Sequence, residues 1–141
     1  MIIDAKNSIV GRLASKVAKK AILGEEIIIL NSEQAVISGP KEVILKKYKA
    51  QANRGEPFHG PFMPKTPHLL LKRIIRGMLP YKFGKGRTAF KRIKCYVGIP
   101  EVFKNSKIET IEEANISRLQ ILKYTTLKEL CNMIKHKNEN Y

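Results

Sequence analysis

The sequence predicts an α/β fold, and three features near its start support that prediction. Residues 1–4 are a short apolar opening that suits a strand, and residues 8–23 place apolar side chains at helical spacing. Residues 26–31 form a β-branched run without polar alternation, which is typical of a strand buried on both faces in a parallel sheet. Strand, helix and strand within thirty-one residues predict a βαβ unit with a right-handed connection.

The first helix has recognisable signals at both ends. Asn7 or Ser8 is the expected N-cap, and Gly24 is the expected stop. The residues expected to face the core are Ile9, Val10, Leu13, Ala14, Val17, Ala18, Ala21 and Ile22.

A short strand and a basic helix are predicted next. Residues 35–37 are β-like, and Pro40 suits the first turn of a helix over about residues 41–53. This helix has a thin apolar stripe and a basic remainder, so one face is expected in the core and the other free for a partner. The stripe is Val43, Ile44 and Tyr48, and the basic residues are Lys41, Lys46, Lys47 and Lys49.

Residues 54–67, the Pro/Gly loop, contain four prolines and two glycines and are therefore predicted to form no regular element. Phe58, His59 and Phe62 are notable there. The two Phe rings would either stack on unpaired bases or anchor the loop on the body of the protein, and the sequence favours neither.

Residues 69–98 are rich in Lys and Arg and contain no acidic residue. A helix is predicted first, and Gly77 and Pro80 end it. A glycine-rich basic turn (residues 81–87) and a second basic run (residues 90–94) follow, and residues 93–98 resemble a buried strand. The apolar stripe of the helix is Leu70, Leu71, Ile74, Ile75 and Met78.

The C-terminal part is less informative. Thr110 with Glu113, and Thr126 with Glu129, have the spacing of capping boxes. The second predicts a helix over about residues 126–136, with Leu127, Leu130, Cys131 and Ile134 on its buried side. The polar end of the chain, residues 135–141, is expected to fray.

The net charge of +15 is concentrated in one part of the chain. Residues 41–94, the basic segment, contain fifteen Lys or Arg against two acidic residues, whereas residues 1–40 and 95–141 each have a net charge of +1. This concentration predicts a surface for a polyanion, with nucleic acid as the first candidate. An anionic membrane fits less well, because no helix combines a basic face with a bulky apolar face.

Other composition features restrict the cell compartment. The longest apolar run, Ile27-Ile28-Ile29-Leu30, is far shorter than a membrane span, and the N-terminus lacks the pattern of a signal peptide. Cys95 and Cys131 support neither a disulfide framework nor a zinc site, and are expected as small core residues. A reducing cytoplasmic location is the simplest expectation.

No enzyme motif is present. Neither a phosphate loop nor a dinucleotide fingerprint matches, and no serine lies in a nucleophile elbow. His59, His68 and His136 have no carboxylate or cysteine cluster near them in sequence. We therefore expect no catalytic residue, no metal site, no cofactor and no small-molecule substrate.

The basic segment suits RNA chemically. Arg54, Arg73, Arg76, Arg87 and Arg92 can bind phosphates in bidentate fashion or stack on bases, whereas lysines act as point charges. Gly84 and Gly86 would allow backbone amides to approach phosphates, with Tyr81 and Phe83 as stacking platforms or as core anchors. No helix-turn-helix, zinc-finger or RNP signature supports sequence-specific DNA reading.

Three stretches resemble the universal large-subunit ribosomal protein family conventionally numbered thirteen. They are "NSIVGRLASKVAK", "IIILNSEQAVISGPK" and "RIIRGMLPYKFGKGRTAFKRIKCYVGIP", in collinear order over about residues 2–103. The resemblance implies a single three-layer α/β/α domain over residues 1–141, with a small, mainly parallel four-stranded sheet. It also implies a structural protein that binds large-subunit ribosomal RNA, contacts neighbouring ribosomal proteins and supports subunit assembly.

Arg12, the stretch 76–80, Gly86, Arg87, Lys91, Arg92 and Lys94 fall on the family's motifs. We assign RNA phosphates first to Arg76, Arg87, Lys91 and Arg92. With charge and loop composition added, the RNA-binding candidates are Arg12, Lys46, Lys47, Arg54, His59, Lys65, Lys72, Arg73, Arg76, Tyr81, Lys82, Lys85, Arg87, Lys91, Arg92 and Lys94. Gly77, Pro80, Gly84 and Gly86 are the residues expected to shape the backbone.

The chain departs from the family in places. The connection at Gly24-Glu25-Glu26 is short, the C-terminus is similar to that of archaeal members, and Cys95 stands where valine is common. No role is transferred to residues 104–124. Two other functions stay open at this stage: an RNA-processing or nucleotide-using enzyme, and a non-ribosomal RNA chaperone or messenger-binding regulator.

Overall fold

The structure, a computed structural model, describes residues 1–56 and 58–136. The expected fraying of the chain end falls largely on residues 137–141, which lie outside this description. The helices are α1 (Val10–Ile22), α2 (Lys41–Ala52), α3 (Pro67–Gly77), α4 (Gly84–Lys91) and α5 (Leu127–His136). The strands are β1 (Ile2–Asp4), β2 (Ile27–Leu30), β3 (Val36–Ser38), β4 (Ile93–Cys95) and β5 (Tyr124–Thr126).

A parallel sheet with the strand order β1-β2-β4 confirms the α/β prediction. β2 is the central strand, with Ile2 opposite Ile28 on one side and Ile27 opposite Ile93 on the other. Its apolar run follows from this position, because a strand with neighbours on both edges and helices nearby exposes little of its length. β4 is an edge strand, so Lys94 is exposed and Cys95 is half-buried, whereas the sequence predicted a buried strand.

The prediction of four strands in one sheet is wrong. β3 leaves the parallel sheet and pairs antiparallel with β5, with Val36 opposite Thr126 and Ser38 opposite Tyr124. No fourth strand is present among the described residues of this sheet. Beside β1, a single parallel bridge joins Ile3 to Glu109 instead. There the amide of Asp4 donates to the carbonyl of Glu109 (2.9 Å), and the amide of Glu109 donates to that of Ile2 (2.9 Å).

Helix α1 begins later than predicted and has no side-chain N-cap. Ile9 is the N-cap residue, because Ser8 and Ile9 form bridges to Asn115 and Val36 before the helix starts. The predicted stop is confirmed: Gly24 has a φ of +104°, and its amide donates to the carbonyl of Ala21. Between these ends the predicted stripe is buried, apart from the half-buried Ile22.

One hydrophobic cluster joins the sheet to all five helices. It includes Leu13 of α1, Ile44 of α2, Leu71 of α3, Ala89 of α4 and Leu130 of α5. The predicted N-cap of α5 is confirmed, since the amide of Glu129 donates to Oγ1 of Thr126 (3.3 Å). The other predicted box is wrong: Glu112–Ala114 is a 3-10 turn, and its N-cap, Ile111, makes no side-chain cap.

Candidate nucleic-acid interface

Helix α3 separates an apolar face from a basic one. It begins at Pro67, a position where proline's missing N–H costs nothing, and it buries Leu70, Leu71 and Ile75. Arg73 and Arg76 lie exposed on the opposite side. Met78 is also exposed, so the apolar stripe ends with the helix.

A ladder of two cations and two rings, in the order Arg76, Tyr81, Phe90 and Lys72, connects α3 to α4. The guanidinium of Arg76 lies 4.5 Å from the centre of the Tyr81 ring, and this ring is T-shaped to the Phe90 ring with the centroids 5.5 Å apart. Nζ of Lys72 lies 4.8 Å from the centre of the Phe90 ring. Tyr81 therefore anchors the fold while part of its side chain stays accessible, and Phe83 is more exposed.

The predicted glycine-rich turn over residues 81–87 is wrong in its second half, because helix α4 begins at Gly84. A Cβ on Gly86 would lie 2.1 Å from the carbonyl oxygen of Pro80, so only glycine allows this helix to pack against the preceding turn. The amide of Gly86 donates to the carbonyl of Phe83. That amide is thus not free for a phosphate, contrary to the sequence-based expectation.

The other residues expected to shape the backbone differ from Gly86. Gly77 is the last residue of α3, and Pro80 follows the turn that closes the helix. A Cβ on Gly77 or Gly84 would meet no atom within 4 Å. Neither glycine is therefore required by packing.

Arg87 and Arg92 make contacts within the fold. Nε of Arg87 donates to the carbonyl of Tyr81 (3.2 Å), which holds the turn against α4. Nη1 of the half-buried Arg92 donates to the carbonyl of Ala21 (3.0 Å) in the last turn of α1, where a cation also complements the helix dipole. Arg92 therefore has a structural role that its place in the basic run did not indicate.

Several basic side chains are exposed on the elements around this ladder. Lys82 lies in the turn, Lys85 and Lys91 lie on α4, and Lys94 lies on β4. On α2, Lys46 and Lys47 are exposed, and Tyr48 is half-buried facing the core, where burial raises the pKa of its phenol. The basic segment thus presents cations on α2, α3, α4 and β4.

The Pro/Gly loop ends at Thr66 and is attached to α3. Nη1 of Arg73 donates to the carbonyl of Phe62 (3.2 Å), while Arg54 and His59 are exposed and Lys65 is half-buried. Phe58 is 88% exposed and Phe62 is 70% exposed. The possibility that these rings anchor the loop is therefore wrong.

Arg12 projects from α1, apart from the basic segment in sequence. Its Nη1 is 3.4 Å from the carbonyl of Glu113, and its side chain lines a pocket with Ile37, Tyr48 and Ile74. Arg12 is thus close to residues of both α2 and α3.

Comparison with known proteins decides the family. The family model described as Ribosomal protein L13 matches residues 1–102 of the chain. The chain belongs to the ribosomal protein L13 family. All sixteen candidate RNA-binding residues, from Arg12 to Lys94, lie inside the matched region.

Curated members of the ribosomal protein L13 family from archaea cover nearly all of the chain. The large ribosomal subunit protein uL13 of Methanopyrus kandleri is 46% identical over 131 residues, which is 92% of this chain and 82% of the relative. That of Methanosarcina barkeri is 48% identical over 130 residues, with 92% and 93% covered. That of Methanococcoides burtonii is 43% identical over 136 residues, with 96% and 98% covered.

Membership of the L13 family confirms the expectation that the chain is not an enzyme. Within residues 1–56 and 58–136, no three His, Cys, Asp or Glu side chains come together as a metal site would require. In the same ranges, no helix has the length and apolarity to cross a membrane. Cys131 is buried as expected but Cys95 only half-buried, and burial raises the thiol pKa to about 12 for Cys95 and about 11 for Cys131.

Sequence reasoning missed an apolar surface made of Val43, Ile121, Leu122 and Tyr124. All four side chains are exposed, Leu122 at 82%, and they border two adjoining pockets that share Gly39, Pro40 and Lys123. This apolar surface lies mostly beyond residue 102, where the match to the family model ends. Its only signal in the sequence was an apolar run before a capping box.

Proposed function

We propose that this chain is a structural constituent of the large ribosomal subunit, located in the cytoplasm within the ribosome. It binds large-subunit ribosomal RNA through the basic segment and supports subunit assembly. The relatives carry the name of a large ribosomal subunit protein, and the charge distribution explains how such a protein would hold RNA. A single three-layer domain is the fold that we expect to carry this function.

The observation that supports RNA binding most strongly is the exposure of the concentrated charge. The basic segment has a net charge of +13, and its exposed cations include Lys46, Arg54, Arg76, Lys85 and Lys91. In the described part of the chain, its acidic residues form no ion pair with these cations. Uncompensated cations on an ordered surface are what phosphate binding needs.

Among the arginines, Arg54 and Arg76 suit phosphate contacts best, because they are exposed and donate no hydrogen bond to the described residues. Arg73, Arg87 and Arg92 each donate to a backbone carbonyl, but a guanidinium has five N–H donors, so contacts with RNA remain possible. A lost phosphate contact and a weakened fold would be hard to separate in variants of these three. Lysines without such contacts give a cleaner test.

The test replaces Lys46, Lys82, Lys85 and Lys91 together with Ala. These side chains are exposed and make no hydrogen bond or ion pair among the described residues. We expect weaker binding to large-subunit RNA, and a slope of log affinity against log salt that is smaller by about 3, at roughly 0.7–0.9 per lost phosphate contact. Filter binding across a salt series measures both quantities.

The matched control replaces Lys6, Lys19, Lys107 and Lys128 with Ala. These four lysines are exposed outside the basic segment, and their removal changes the net charge equally. We expect the salt slope of the control to match that of the unmodified protein. Equal losses in both quadruple variants would show that net charge, and not the basic segment, determines RNA binding.

Neighbouring ribosomal proteins are the partners that suit the apolar surface. Aliphatic side chains such as Val43, Ile121 and Leu122 offer nothing to a phosphate backbone, whereas apolar anchors are common in protein interfaces. The basic segment and the apolar surface would thus serve different partners within one subunit.

A further inference from the structure

The residues that line a pocket beside the Pro/Gly loop include a phenylalanine, two cationic residues and a glutamate. The pocket has a volume of about 430 Å³, and Arg54, Glu56, Phe62 and Lys65 contribute to its lining. Half-buried Met63 also lines it.

The loop around this pocket is held closed by its own backbone. The amide of Glu56 donates to the carbonyl of Gly60 (3.2 Å), and the amide of Gly60 donates to the carbonyl of Glu56 (3.0 Å). Gly55 has a φ of +87°, and a Cβ there would lie 2.2 Å from the oxygen of Gly60, so the closure requires glycine. Nη1 of Arg73 also donates to the carbonyl of Phe62, so hydrogen bonds within the protein contribute to the shape of the pocket.

The Phe62 ring is supported near one edge and open elsewhere. A Cβ on Gly60 would lie 3.1 Å from Cδ2 and Cε2 of this ring, so the backbone at Gly60 lies close beside it. The side chain is nevertheless 70% exposed. A supported and exposed ring beside cations is the arrangement on which unpaired bases stack.

Glu56 is unexpected in a surface for a polyanion. It is one of only two acidic residues in the basic segment, and within the described residues its carboxylate makes no ion pair. A carboxylate repels phosphates, but it accepts hydrogen bonds from the edge of a base. Guanine presents two adjacent N–H donors on its Watson–Crick edge, which matches the two oxygens of a carboxylate.

We propose that this pocket binds an unpaired guanine of an RNA strand. The base stacks on Phe62, the carboxylate of Glu56 accepts from its Watson–Crick edge, and Arg54 and Lys65 contact the flanking phosphates. This inference rests on the proposed function, since it specifies the kind of nucleotide that the RNA-binding surface recognises. A protein segment with an aromatic side chain is the competing occupant.

The chain contains no tryptophan, so Phe62→Trp introduces a single tryptophan at the pocket, and its fluorescence can report on binding. We would titrate this variant with single-stranded RNA hexamers that carry one guanine, one adenine or one abasic site in a uridine background. We expect quenching with the guanine hexamer, about tenfold weaker binding of the adenine hexamer, and no quenching with the abasic one. Equal quenching by all three hexamers would overturn the proposal.

Glu56→Gln in the Phe62→Trp background tests the carboxylate. We expect the preference for guanine over adenine to disappear, while the adenine hexamer, which quenches in this background, is bound no more weakly than before. The matched control is Phe58→Ala in the same background, which removes a more exposed ring that does not line the pocket. A preserved preference in Glu56→Gln, or its loss in Phe58→Ala, would contradict the assignment.

Binding to intact large-subunit RNA separates this inference from the proposed function. We expect Phe62→Ala to bind this RNA about tenfold more weakly than the unmodified protein, with an unchanged salt slope. Full affinity in Phe62→Ala would refute the guanine pocket and leave the proposed function intact. Failure of the unmodified protein to bind large-subunit RNA would refute the proposed function itself.

Discussion

Arg76 and Arg92 carry the same charge, but their surroundings differ. Arg76 lies exposed over the Tyr81 ring, whereas Arg92 is half-buried and donates to the carbonyl of Ala21. A hydrogen bond from a charged donor to a partly buried carbonyl contributes about 1.5–3 kcal/mol to stability. At the scale of residues, the neighbours of an arginine therefore determine whether its guanidinium stabilises the fold through a hydrogen bond or stays exposed.

Gly86 and Gly84 give a matched test of packing within one helix. A Cβ on Gly86 would overlap the carbonyl of Pro80, whereas a Cβ on Gly84 would meet open space. We expect Gly86→Ala to lower the free energy of unfolding by about 1–3 kcal/mol, because the turn must move away from α4. Urea unfolding followed by circular dichroism measures the difference.

Gly84→Ala is the control for helix propensity. Alanine favours the helix, so we expect an unchanged or slightly higher free energy of unfolding. If both variants lost the same stability, the contact between Gly86 and Pro80 would not be the cause.

At the scale of elements, α3 and α4 are joined by side chains that the sequence marked for RNA. Lys72, Arg76 and Tyr81 take part in the ladder that also includes Phe90. Such pairs contribute about 0.5–1.5 kcal/mol each when partly exposed. The ladder therefore holds α3 and α4 together. Two of its members, Lys72 and Arg76, are themselves cations of the basic segment.

Tyr81→Leu tests the ladder, because it removes the ring and keeps an apolar side chain. We expect the free energy of unfolding to fall by about 1–2 kcal/mol, since contacts with both Arg76 and Phe90 are lost. Thermal unfolding should show a melting temperature several degrees lower.

Tyr81→Phe keeps the ring and is the control. The described structure shows no hydrogen bond made by the Tyr81 hydroxyl, so we expect stability close to that of the unmodified protein. A loss in Tyr81→Phe as large as in Tyr81→Leu would contradict the ladder.

At the scale of the whole molecule, charge and apolar exposure occupy different parts of the chain. The basic segment lies within the region that matches the L13 family model, and most of the apolar surface lies beyond it. The proposed role in the large subunit would bring this chain into contact with both RNA and protein. This distribution would allow the two kinds of contact to be changed separately.

Ile121→Gln combined with Leu122→Gln tests that separation. Both side chains are largely exposed, so we expect little change in stability or in affinity for bare large-subunit RNA. We expect reduced incorporation into large subunits, because the apolar anchors for protein neighbours are removed. Co-sedimentation with subunits through a salt gradient measures incorporation.

The matched control combines Leu23→Gln with Val102→Gln. These side chains are 74% and 81% exposed but lie outside the apolar surface. Incorporation of this control should equal that of the unmodified protein. Equal incorporation of both double variants would exclude a role for the apolar surface.

The elements and the partner class could largely be predicted from the sequence. The periodicity of α1, the apolar run of β2 and the Thr126 cap of α5 are local patterns, and each is confirmed. The charge concentration of the basic segment is also a property of the sequence, because its fifteen cations lie within fifty-four residues with two acidic residues among them. RNA was therefore the expected partner before any contact was known.

Only the tertiary structure decided how these elements combine. β3 pairs with β5, and Arg92 reaches Ala21 across seventy-one positions, which no local pattern reports. Glycine has a low helix propensity, yet α4 includes both Gly84 and Gly86, and Gly86 packs closely against Pro80. Local composition thus determined the charge and most of the elements by itself. Long-range contacts decided strand partners, the extent of α4 and which cations donate hydrogen bonds within the fold, because their energies depend on residues far apart in the chain.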